Sequence, residues 1–70
     1  MKIQPHQQRV IDEKYELDGR IVKLDVFINC QPAFGGLPIP EAERMRLYAQ
    51  HRAMVTYSTI LGERIAAFGG

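Results

Sequence analysis

The sequence predicts an all-α protein: an antiparallel two-helix hairpin that self-associates into an oligomeric helical bundle. Two apolar ladders and one helix-breaking stretch between them carry that prediction. The first ladder is Ile3, Val10, Leu17 and Leu24; the second is Leu47, Met54, Leu61 and Phe68. A seven-residue repeat keeps one stripe of a helix turned toward a partner helix. Between the ladders, NCQPAFGGLPI carries Pro32, Gly35, Gly36 and Pro38, which together end any continuous helix.

Helix 1 is expected from Pro5 to about Ile28, because proline suits the first helical turn. Its second seam position is filled by Gln7, Lys14, Ile21 and Ile28, with Ile11 and Phe27 widening the stripe. The first half of this seam is therefore polar and the second half apolar. Glu16 and Arg20 stand four apart in the favourable order for a helical ion pair. Gly19 falls on the outer face and costs about 1 kcal/mol relative to Ala.

The loop is expected over 29–39. Phe34 and Leu37 are read as plugs for the end of the hairpin, and Gly35-Gly36 as a turn. Helix 2 is expected from Pro40 to about Phe68, with Glu41 and Glu43 where the helix dipole favours negative charge. Gly69-Gly70 ends it. Its second seam position holds His51, Ser58 and Ile65. Tyr48 and Val55 extend the apolar face on one side; Gln50, Tyr57 and Arg64 form a polar ladder on the other.

Seventy residues make one small domain, 1–70, and chains of this size commonly need disulfides, metals or copies of themselves for stability. The single cysteine, Cys30, allows no intrachain disulfide and fits a reducing compartment. His6 and His51 lie too far apart for a zinc site, so no metal and no cofactor is expected. Self-association remains, and a homo-oligomer is the expected partner state. No run approaches the length of a membrane span, and MKIQPHQQR has no signal-peptide core. The charge is nearly balanced, nine Lys/Arg against eight Asp/Glu for a net +1, which disfavours duplex nucleic acid as a partner.

Catalysis is not expected. The sequence has no HExxH, CxxC or phosphate-loop motif. Ser58 and His51 stand two turns apart on one helix, about 10 Å along its axis, beyond direct hydrogen bonding.

Polar groups at seam positions are the informative exception. In an antiparallel hairpin with this loop, Lys14 falls near Val55 and Ser58, Glu13 near Tyr57, and His6 near Arg64. Such groups satisfy one another across the hairpin and fix register. The functional reading of the same region takes Arg9, Lys14, Tyr57 and Arg64 as a ligand site in a cleft between copies. Arg and Lys would hold phosphates, and the tyrosine ring would stack a base. A symmetric oligomer doubles these groups about a two-fold axis, which suits a two-fold anionic ligand. A second basic cluster, Arg44, Arg46, Tyr48, His51 and Arg52, extended by Lys23 and Arg20, is either a solvated face or an anion patch.

At QPHQQRVIDEKYELDGRIVKLDVFI, then a loop with Phe and LP, then ERMRLYAQHRAMVTYSTILGERIAAF, the chain resembles a family of small phage and prophage proteins named from a crAss-like phage member. The resemblance spans Gln4 to Phe68 and is marked by PHQQRVIDEK and by Y-S-x-I-L-x-x-R-I. Gly19 and the NCQPAFGG loop depart from it. In size, topology and need for copies, the chain also resembles, by type, the phage sponges of anti-CBASS and anti-Thoeris defence. These hold cyclic-nucleotide immune signals between protomers without cleaving them. The resemblance implies a non-catalytic protein of the host cytoplasm that sequesters a cyclic di- or trinucleotide. The alternative is an oligomeric interaction module acting on a host or phage protein through an apolar patch at Tyr48, Val55 or Phe34.

Overall fold

Two helix starts and one helix stop are set by local hydrogen bonding. The backbone N–H of Gln4 donates to Oε1 of Gln7 at 2.8 Å, and the Gln4 carbonyl accepts from the Gln8 N–H at 2.9 Å. This is the side-chain half of a capping box. It explains why a polar residue occupies the first seam position: the Gln7 amide is spent on the helix end. From there α1 runs Pro5–Asn29. It stops one residue later than expected, because the Asn29 amide wraps back onto the Asp25 carbonyl at 2.9 Å and its carboxylate at 3.0 Å.

The computed structural model describes residues 2–29 and 39–69. The roles expected of Cys30, Pro32, Phe34, Gly35, Gly36, Leu37 and Pro38 lie outside those residues. Helix α2 runs Glu41–Phe68. Pro40 stands just ahead of it in extended backbone, φ −55° and ψ 146°, and its carbonyl accepts the Arg44 N–H at 2.9 Å. The expected start at Pro40 is thus one residue early: the proline serves as the cap. Glu41 and Glu43 occupy the first turn, as the dipole favours.

The described residues form two helices and no strand, and the helices pack against each other as a hairpin. The seam follows the two ladders. Val10, Leu17 and Leu61 form the core, with Ile21, Met54, Ile65 and Phe68 packed against it, and Leu61 is fully buried. Ile28 is buried farther along α1. Ile11 widens the stripe and is half-buried. Phe27 does not: it sits beyond the seam's edge and is 43% exposed. Ile3 precedes the helix and is likewise exposed.

The chain measures 50 × 19 × 14 Å. Its least dimension is close to the diameter of one helix with its side chains, about 10–12 Å. A slab one helix thick covers the facing stripes and nothing else. Apolar residues off the seam therefore stay in solvent, among them Tyr48 and Val55, the expected extension of the apolar face.

Candidate functional site

The polar seam residues resolve into two clusters on opposite edges of the hairpin. The first is built on Lys14, which the ladder places between Val10 and Leu17. Its Nζ donates to Asp18 Oδ2 at 2.9 Å, one turn along α1, and to Ser58 Oγ at 2.8 Å across the seam. Ser58 is buried and donates its own hydrogen to Asp18 Oδ1. Three groups thus close a ring in which each is satisfied. The lysine stem reaches this position by crossing Gly62: a Cβ built on that glycine would lie 3.4 Å from Lys14 Cε.

Electrostatically the ring is self-neutralising. The Ser58 hydroxyl, and after it the Lys14 ammonium, hold the Asp18 carboxyl below its ordinary value, against a smaller opposing effect of desolvation. Lowered in the folded chain, this group stabilises the fold fully above its unfolded value of about 3.9 and loses that contribution as pH falls through its lower folded value. Acid titration of helical circular dichroism is expected to show this: the wild-type chain loses stability below about pH 3.9 more steeply than Asp18→Asn does. Equal slopes for the two chains would remove the ring from the pH response.

The second cluster lies on the other edge. The Tyr57 hydroxyl donates to Glu13 Oε2, joining the helices again. This bond, with lesser contributions from desolvation and the carboxylate's charge, raises the Tyr57 phenol above its ordinary value; Arg64 pulls it the other way. Arg64 stands on the same face of α2, about two helical turns after Tyr57. Arg9 is exposed on α1 one turn before Glu13, on the same side of that helix. The raised phenol contributes stability fully present below about pH 10 and lost as pH rises through its higher folded value. In an ultraviolet phenolate titration, the step that Tyr57→Phe removes is expected to move to lower pH in Glu13→Gln. A step that stays in place would mean that the bond is not made in solution.

Of the four candidate ligand residues, Arg9, Tyr57 and Arg64 therefore share one face, and Lys14 stands on the opposite edge with both its partners in its own chain. Of the expected neighbours across the hairpin, Lys14 with Ser58 and Glu13 with Tyr57 are hydrogen-bonded. The second basic cluster is divided. Arg46 pairs with Glu43 at 2.8 Å and Arg20 with Glu16 at 3.8 Å. Arg44 lies with Ile39 and Glu41. His51 Nε2 lies 3.7 Å from Asp25 Oδ1. Tyr48, His51 and Arg52 stay together, lining a shallow groove of about 530 Å³ with Met45 and Val55.

A further groove, about 400 Å³, runs along the outside of α2 beside Tyr57. Ala49, Ala53 and Thr56 floor it, with Arg52, Tyr57 and Ile60 around them. Every lining residue comes from one helix, so the groove has a floor and no opposing wall. Sequence reasoning missed this floor, and it missed Asp18 and Gly62. Asp18 had a readable signal in its position four residues after Lys14, the spacing of a helical ion pair. Gly62 follows the ladder residue Leu61 directly, where the absence of a side chain leaves a path for a seam lysine. The small residues of α2 recur every three to four positions, but nothing in that pattern separates a floor from an ordinary outer face.

Comparison with known families now adds one finding. The chain belongs to the Sequestin family, whose model matches residues 4–67, nearly its whole length. Neither the curated proteins nor the solved structures contain a match to it. Neither described helix is long and apolar enough to cross a membrane.

Proposed function

We propose that this Sequestin family member is a non-catalytic binding protein, encoded by a phage, that sequesters a cyclic nucleotide immune signal in the host cytoplasm. The single observation that carries the reading is that Tyr57 and Arg64, seven residues apart, share one face of α2 beside a groove floored by small side chains. A nucleobase needs an aromatic edge and a flat apolar floor, and its phosphate needs a cation within reach. The face offers these three elements together, with Arg9 as a second cation from α1. The family name itself speaks of sequestering.

Because the groove has one wall only, a ligand held there is covered when another copy supplies the other wall. The protein acts as a homo-oligomer in this reading, and a cyclic di- or trinucleotide, with phosphates repeated about its ring, matches a site repeated about a symmetry axis. Lys14 supports the site by fixing helix register, since its charge is already neutralised by Asp18.

Titration calorimetry with a panel of cyclic di- and trinucleotides tests the proposal. Saturable binding with full recovery of unmodified nucleotide is expected. Absence of heat and of any thermal shift across the panel would remove it, and conversion of the nucleotide would replace sequestration by catalysis.

A further inference from the structure

The hairpin leaves a second apolar stripe on α1, formed by Ile11, Tyr15, Val22 and Val26. Tyr15 is 82% exposed and Val22 62% exposed. The spacing runs four, seven, four, so these residues share one side of the helix, about a quarter turn or more from the seam. The stripe continues onto α2: His51 reaches Asp25, next to Val26, so Tyr48 and Val55, which flank His51, stand on the same side of the hairpin. The other broad side carries Arg9, Glu13, Arg20, Tyr57 and Arg64.

We propose that this face is the contact between two copies of the chain, with the two α1 helices crossing antiparallel at Gly19. This rests on the self-association put forward above and adds a second contact between copies, made without ligand on the face opposite the groove.

Four observations select a second copy as the occupant. The spacing is palindromic about the Asp18–Gly19 peptide bond. An antiparallel α1 therefore presents the partner subunit's Val26 to Ile11 and the partner subunit's Val22 to Tyr15, the self-complementarity that a two-fold interface requires. Nothing lies within 4 Å of a Cβ built on Gly19, so at the centre of the stripe the outer surface of α1 is bare backbone that another helix can approach closely. Charge is the third. Asp18, the ionised group within the stripe, is already bonded to Lys14 and Ser58, and Asp25 faces His51. Covering the α1 stripe therefore buries no charge that lacks a partner, which would be costly.

Area is the fourth. A folded monomer of 8.0 kDa is expected to expose about 4,450 Å² by the usual scaling with mass, and this chain exposes 5428 Å². The excess, roughly 1,000 Å², is what one partner of a standard interface contributes, about 800 Å².

The test compares masses by light scattering. The wild-type chain is expected at roughly 16 kDa or an even multiple of its 8.0 kDa, and Val22→Glu at half the wild-type mass or less, with helical circular dichroism retained. Because Val22 is exposed in the single hairpin, a carboxylate there burdens the interface and not the helix pair. With no nucleotide present, Ile60→Glu, beside the groove on the opposite face, is expected to leave the mass unchanged. A Val22→Glu chain that keeps the wild-type mass, or an Ile60→Glu chain that loses it, would overturn this face while leaving self-association in place. A wild-type chain that stays at 8.0 kDa up to high micromolar concentration would overturn both.

A benzophenone side chain placed at position 15 gives a second readout that does not depend on a destabilising charge. A link between chains to the peptide carrying Val22 is expected. A link within one chain to residues 30–38, or no link, would assign the stripe to another occupant and overturn the proposal.

Discussion

Leu61→Ala is expected to lower the melting temperature of the helical circular dichroism by roughly 10–40 °C relative to the wild-type chain at the same concentration. Leu61 is 0% exposed, and it packs with Val10 and Leu17 in the core of the seam. Truncating a buried leucine costs about 2–5 kcal/mol, the lost transfer energy plus the cavity left behind. The upper part of that range applies when neighbours cannot close the gap. Here the Lys14–Asp18–Ser58 ring holds the helices at a fixed separation one turn away, and Ile65 and Phe68 are already in contact with the core.

Against this stands a small total. A 70-residue domain carries about 3.5–10 kcal/mol at the usual stability per residue. One substitution therefore removes at least about a fifth of it. Ile60→Ala is the matched control: the neighbouring residue is 47% exposed, and its truncation is expected within about 0.5 kcal/mol of wild type. If both variants melt at the same temperature, the seam does not run through Leu61. Because assembly adds to the stability of any self-associating chain, the deficit of Leu61→Ala should shrink as protein concentration rises.

Leu61 also shows what could be read from the sequence. The apolar ladder alone picks out Val10, Leu17, Leu61, Met54 and Phe68, because a stripe of spacing seven has one way to be buried in a hairpin of this length. The cross-seam pairs of Lys14 and Glu13 followed from the same register. Phe27 did not follow, since apolarity alone does not tell a residue at the edge of the stripe from one just past it, and in a slab one helix thick that difference decides exposure. Asp18 escaped for a related reason: a charged residue beside a seam is invisible to a hydrophobic pattern until its partner is known. The candidate ligand residues were found as a set but divide by edge. Arg9, Tyr57 and Arg64 fall one way around their helices and Lys14 the other, and a ladder counts positions along a helix without recording on which side of the seam a long side chain leaves it.

Arg64→Glu is expected to abolish nucleotide binding while leaving the helical content unchanged. A charge-assisted hydrogen bond from a guanidinium to a phosphate is worth about 1.5–3 kcal/mol, so removing it weakens binding by roughly 10- to 150-fold. Reversing the charge sets a carboxylate against the phosphate and adds repulsion to that loss. The fold has little at stake, since Arg64 is exposed on α2 outside the core.

The companion variants make the pattern specific. Tyr57→Ala removes the stacking ring and should cost about 1–3 kcal/mol of binding, whereas Tyr57→Phe keeps the ring and should bind within a few-fold of wild type. Lys14→Met is the decisive contrast. Its ammonium is engaged by Asp18 and Ser58 in its own chain, so the variant should lower thermal stability and leave affinity nearly unaltered. If instead Lys14→Met folds normally and loses the ligand, the ring opens on binding and the lysine belongs to the site. The face at Tyr57 and Arg64 would then hold only part of the nucleotide, and the seam itself would have to part to admit the rest.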